Sequence, residues 1–154
     1  MNEAVVIITF ILTALVAGAL GGLAMEGAMW AIGQGGWAKA DMIVALGSLL
    51  TKSRENARRV GLTIHAVSSV GFAMVYTTLM LVLGLTGMPS AMMLGLGAGF
   101  LHGLVVSLML MWVIADRHPL EEFKEADFAV GLSHLVGHVA FGGVVGLVVG
   151  ISPL

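Results

Sequence analysis

Four stretches of this chain, about residues 4–33, 60–83, 89–114 and 128–151, run for twenty or more positions with no Lys, Arg or Asp and a single Glu. A bilayer core takes about 20 apolar residues per helix. In lipid, every backbone polar group must be satisfied within the spanning segments, which restricts such a chain to helices or a closed barrel. Stretches of this length are helical, so the expected fold is all-α: a membrane-spanning four-helix bundle forming one domain over residues 1–154. Composition agrees, because 58% hydrophobic and 10% charged residues leave too little polar surface to cover a soluble domain.

The connections set the arrangement. Gly33-Gln34-Gly35-Gly36 is expected to end the first span, and Gly87-Met88-Pro89 to turn between the second and third, with Pro89 tolerated in a first helical turn. Between spans one and two, residues 41–51 are apolar but too short to cross, and read as an interfacial helix capped by Asp41. The start of the chain lacks the basic region of a signal peptide, so the first span is expected to be retained. All seven basic residues (Lys39, Lys52, Arg54, Arg58, Arg59, Arg117, Lys124) fall in the first and third connections. The positive-inside rule puts both connections in the cytoplasm and both termini outside, as in a multi-pass protein of a bacterial inner membrane. A net charge of -2 without a basic stripe excludes nucleic acid as a partner. No cysteine is present, so disulfides and thiolate metal sites are excluded too.

An internal duplication is legible. At an offset of 69, His65, Val67, Val70, Phe72 and Val75 of span two meet His134, Val136, Val139, Phe141 and Val144 of span four. At an offset of 76, the segment 20–27 of span one faces 96–103 of span three, pairing Glu26 with His102. Two tandem two-helix repeats share one orientation, so the expected axis lies along the membrane normal. Asp41-Met42-Ile43 before Leu-Gly-Ser-Leu-Leu, a His early in span two, Leu101-His102-Gly103-Leu104, and Gly137-His138 before Phe141-Gly142 together carry a resemblance. After about Gly18 the chain resembles a family of bacterial four-helix integral membrane proteins with intramembrane histidines. That resemblance implies a fold and recurrent His positions, and no established activity.

Ionisable groups at membrane depth are rare and costly, and each is a functional-site hypothesis. Here they are Glu26, His65, His102, His134 and His138. Counted at about 1.5 Å per residue from the ends bearing the long connections, all five fall within about two helical turns of one another. Small-residue stripes at i+4 (Gly18, Gly22, Glu26; Gly61, His65, Ser69; His134, His138, Gly142) mark helix-contact faces and direct these groups inward. His134 and His138, at i and i+4, share a helix face, a spacing that supplies two imidazoles to one metal. The donor set suits iron or copper, with zinc possible, and not magnesium or calcium.

Four functions remain open: a buried transition-metal site with redox chemistry on a quinol or other apolar molecule; a b-type haem held by His65 and His134; a metal-ion or proton transporter; and a structural subunit of a larger membrane complex or homo-oligomer. His118, beside Pro119 in a charged loop, is expected to be solvated. Trp30, Trp37 and Trp112 fit an interfacial aromatic belt.

Overall fold

The computed structural model describes residues 2–38 and 41–154, so Lys39 of the basic set lies outside the described residues. The apolar stretches form α1 (Glu3–Gln34), α3 (Ala57–Val82), α4 (Ser90–Met109) and α5 (Phe128–Ile151), with a short α2 (Met42–Thr51) in the first connection. α4 continues into a π-helical turn, Leu110–Ile114, and a 3-10 turn covers Glu121–Phe123. The four long helices, counting that turn with α4, are long and apolar enough to cross a membrane.

Local chemistry explains the ends. The Asp127 side chain accepts from the Val130 N–H at the start of α5, and Asp41 accepts from the Val44 N–H at 3.3 Å, so its capping role is as expected. α1 stops at Gly35 and Gly36, the latter at φ +70, a backbone that favours glycine. Pro89 follows a cis peptide bond and sits at the N-cap of α4, one position before the helix.

The bundle is apolar outside and carries buried polar groups within. Leu23, Val67, Val82 and Phe128 are largely exposed on its outer surface, while Ser69, Thr77, Ser107, Ser133, His134 and His138 are buried. Water would not stabilise such an arrangement, whereas lipid does. Trp30, Trp37 and Trp112 are also exposed, all near the end that carries the long connections. Arg54 of the first connection pairs bidentately with Glu122 of the third, and α2 packs on α3 so tightly that a Cβ at Gly47 or Gly61 would strike the facing backbone.

Two helix pairs organise the rest. α4 lies along α5, α3 lies along α1, and α1 also packs on α5. A Cβ at Gly18 would meet Ser69 O and Val70 Cα, and one at Gly99 would meet His138 O and Val139 Cα. Likewise, Gly22 faces the Ser69 side chain and Gly103 faces His138 Cβ. The offset of 69 between α3 and α5 therefore holds, whereas α1 and α4 correspond at 81 instead of 76. At 81, Ala17-Gly18-Ala19-Leu20-Gly21-Gly22-Leu23 aligns with Ala98-Gly99-Phe100-Leu101-His102-Gly103-Leu104, with five of seven identical. The packing register thus pairs Glu26 with Ser107 and His102 with Gly21, correcting the expected Glu26–His102 match. The offset of 76 aligned glycines by composition, while the close approaches align them by contact.

The repeat is not closed. A two-fold arrangement that packs α1 on α5 would also pack α4 on α3, yet those two helices barely touch. Phe72 and Tyr76 against His102 bridge them, with ring centroids 4.1 and 6.3 Å apart.

Candidate functional site

The space left between α3, α4 and α5 is a cavity of about 640 Å³, with α2 and the third connection at its other end. Fewer than one residue in five lines it, yet all five histidines of the chain do: His65, His102, His118, His134 and His138. Four carboxylates, Asp41, Glu122, Glu125 and Asp127, join them from the connections. Among the described residues, no Lys or Arg lines it. Towards the other end of the bundle, Tyr76, Met80, Phe141, Val145 and Val149 form a dry core.

The five expected membrane-depth groups fall into subsets. His65 on α3 reaches across to α1, where Nε2 lies 3.4 Å from both the Gly22 carbonyl oxygen and Glu26 Oε1. Gly22 makes this possible, since a side chain there would occupy the space between Ser69 and the imidazole. Glu26 stands behind His65 and does not line the cavity. On the other side, the His102 ring packs edge-on to His138 with centroids 4.6 Å apart, and the Tyr76 hydroxyl lies 3.2 Å from His102 Nδ1. His138 Nδ1 donates to the His134 carbonyl at 2.7 Å, one helical turn back. His134 Nδ1 and Glu26 Oε1 are each buried with no hydrogen-bond partner among the described residues. No three His, Asp or Glu of the described residues converge closely enough to hold a metal ion together.

His118 departs from expectation. It is 3% exposed, and its ring clamps the third connection to α2. Nδ1 accepts from the Leu120 N–H at 3.1 Å, which leaves the proton on Nε2 to be donated to the Ala45 carbonyl at 3.1 Å. Its position beside Pro119 in a charged segment hid this role, because the partner carbonyl is 73 residues away. The π turn is a second feature that periodicity missed: Ala115 N bonds to Leu110 O, and Leu110 and Ile114 both line the cavity. Such turns often accompany functional sites.

Electrostatics at the mouth follow from the charged loops. The Arg54 guanidinium, by hydrogen bond and then by charge, holds the exposed Glu122 carboxyl below the usual range, keeping it anionic beside the cavity. Carboxylates at the mouth and imidazoles within, with no lining cation among the described residues, make a surface suited to positively charged guests or hydrogen-bonding ones. No protein-family model, curated protein or solved structure matches this chain, so the site's own chemistry carries the functional argument.

Proposed function

We propose that this multi-pass membrane protein binds a first-row transition-metal cation in the α3–α4–α5 cavity, reached from the end that carries the long connections. The observation supporting this reading is the lining: five imidazoles and four carboxylates, and no Lys or Arg among the described residues. Imidazole and carboxylate favour iron, copper or zinc over magnesium and calcium. Because the donors are spread along the cavity and do not converge, the guest is a partly hydrated, exchangeable ion that moves between weak positions, unlike a clamped structural metal. By the positive-inside rule, the basic connections support a mouth facing the cytoplasm of a bacterial inner membrane, with both termini outside.

Equilibrium dialysis of the detergent-purified protein against Zn²⁺, Co²⁺ or Mg²⁺, followed by elemental analysis, tests this. Retention of zinc and cobalt without magnesium is expected, and His138→Ala should reduce it at least tenfold. Retention of none, or of all three alike, would overturn it.

A second reading has its own support. The volume of the cavity, the aromatic rings of Phe72 and Phe141, and the thin α3–α4 contact suit a quinol or another ring-bearing apolar molecule entering from the bilayer. Organic extraction of the purified protein and mass spectrometry would find it. A haem between His65 and His134 fits less well, because the bond of His65 Nε2 to α1 leaves only Nδ1, crowded by its own Cβ, to face a porphyrin iron. A Soret band would reinstate that reading.

A further inference from the structure

Each imidazole lining the membrane part of the cavity has two nitrogens, and the hydrogen bond at one decides which chemistry the other offers. We infer that these far-side bonds sort three of the four histidines into two kinds: His65 and His138 present a lone pair to the cavity, whereas His102, set by Tyr76, presents an N–H; His134, with no bond at Nδ1 among the described residues, belongs to neither.

The assignment follows from what each partner can do. His138 Nδ1 faces a backbone carbonyl at 2.7 Å, which only accepts, so Nδ1 carries the proton and Nε2 is the free base. His65 Nε2 bonds to the Gly22 carbonyl, which only accepts, with the unbonded Glu26 Oε1 3.4 Å away, so its proton sits on Nε2 and Nδ1 is the free base. Both histidines thus show the carbonyl-backed pattern that orients histidine ligands of metals. Glu26, beside the far nitrogen of His65, is a positioning residue and not a ligand. His102 is the reverse case. The buried Tyr76 hydroxyl has His102 Nδ1 as its hydrogen-bond partner; it donates there, fixing the proton on Nε2. None of the three remaining nitrogens has a partner among the described residues, and all three histidines line the cavity.

The consequence, which rests on the cation reading, is that His65 and His138 each offer the ion one of its weak positions, while His102 hydrogen-bonds its water or counter-anion. Tyr76 thereby removes one imidazole from the positions open to the ion. The tautomers themselves rest on protein contacts alone.

Nitrogen NMR of the detergent-solubilised protein labelled with ¹⁵N-histidine reads both statements, with single His→Gln variants assigning the signals. The expected spectrum shows Nε2–H for His65 and His102 and Nδ1–H for His138. Tyr76→Phe should move only His102, into exchange between tautomers, a signature that a purely structural role for the hydroxyl would not produce. Added Zn²⁺ should shift the free-base nitrogens of His65 and His138 and leave His102 protonated. Nδ1–H on wild-type His102, or Nε2–H on His138, overturns the inference whatever zinc does. The expected tautomers with no response to zinc would confirm the sorting and overturn the cation reading instead.

Discussion

The two helix pairs share a register and differ in what fills it. Where α4 meets α5, both sides are glycine: Gly95 and Gly99 lie against Gly142 and Gly146, so backbone rests on backbone. Where α1 meets α3, glycine comes from α1 alone, and α3 answers with Ser69, Ala73 and Thr77, all buried. Ala73 stands at the position corresponding to Gly142, and Ser69 at that of His138. The closer pair leaves no room between its helices, so the α5 imidazoles face the cavity instead. The looser pair has space for His65 to reach Gly22 and Glu26. One packing motif thus yields a rigid wall in one copy and a polar dyad in the other, and the cavity occupies the α3–α4 contact that the repeat leaves unmade.

The sharpest way to break this comparison is to exchange the paired positions. Gly142→Ala would drive a methyl into the α4 backbone and should destabilise the fold by about 1–3 kcal/mol, the usual range for overpacking. Ala73→Gly should cost less, about 1–2 kcal/mol, the helix-propensity difference plus the packing of one fully buried methyl. Thermal unfolding in detergent would measure both; equal losses would mean that the pairs are not packed differently.

Next in size is the clamp at the mouth. His118→Ala removes two hydrogen bonds from a buried group and should cost about 1–3 kcal/mol, with faster amide exchange confined to α2 and the third connection. Exchange rising evenly along the chain would contradict the clamp. A smaller effect separates the corresponding positions Glu26 and Ser107. Ser107→Ala loses an interhelical bond to the Gly131 carbonyl, worth about 0.6–1.7 kcal/mol in membranes, and should leave zinc retention intact. Glu26→Gln should keep the fold and weaken zinc retention about tenfold or more, the size of an outer-shell effect.

The smallest effect is at the surface. Glu122, lowered by Arg54, contributes stability that is present above its unfolded pKa and is lost as pH falls through its lower folded value. An acid titration should therefore show a slight loss that Arg54→Ala abolishes and that high salt diminishes.

Much of the fold was legible because membrane helices declare themselves by length and apolarity, and because Asp41 and the Gly33–Gly36 segment mark ends by local chemistry. The offset of 69 was legible too, carried by bulky residues and a histidine that recur in order. The α1–α4 register was harder to read, because glycine-rich helices align at several offsets and only contact chooses among them. In the site, the inward direction of His65, His134 and His138 could be read from i+4 spacing. Depth along a helix does not fix the direction across it, so the division into subsets was hidden. His118 and Tyr76 were missed because their partners lie on other helices and neither occurs in a recognisable spacing.

The most direct test of the account uses the absence of native cysteine. Val106→Cys places a thiol on the cavity wall and Ala73→Cys places one in the sealed α1–α3 contact. In inside-out membrane vesicles, a charged, membrane-impermeant thiol reagent should label position 106 quickly and position 73 hardly at all, and Zn²⁺ should slow the labelling at 106. Equal labelling at the two positions, or labelling at 106 that is indifferent to zinc, would contradict an open cation-binding cavity between α3, α4 and α5.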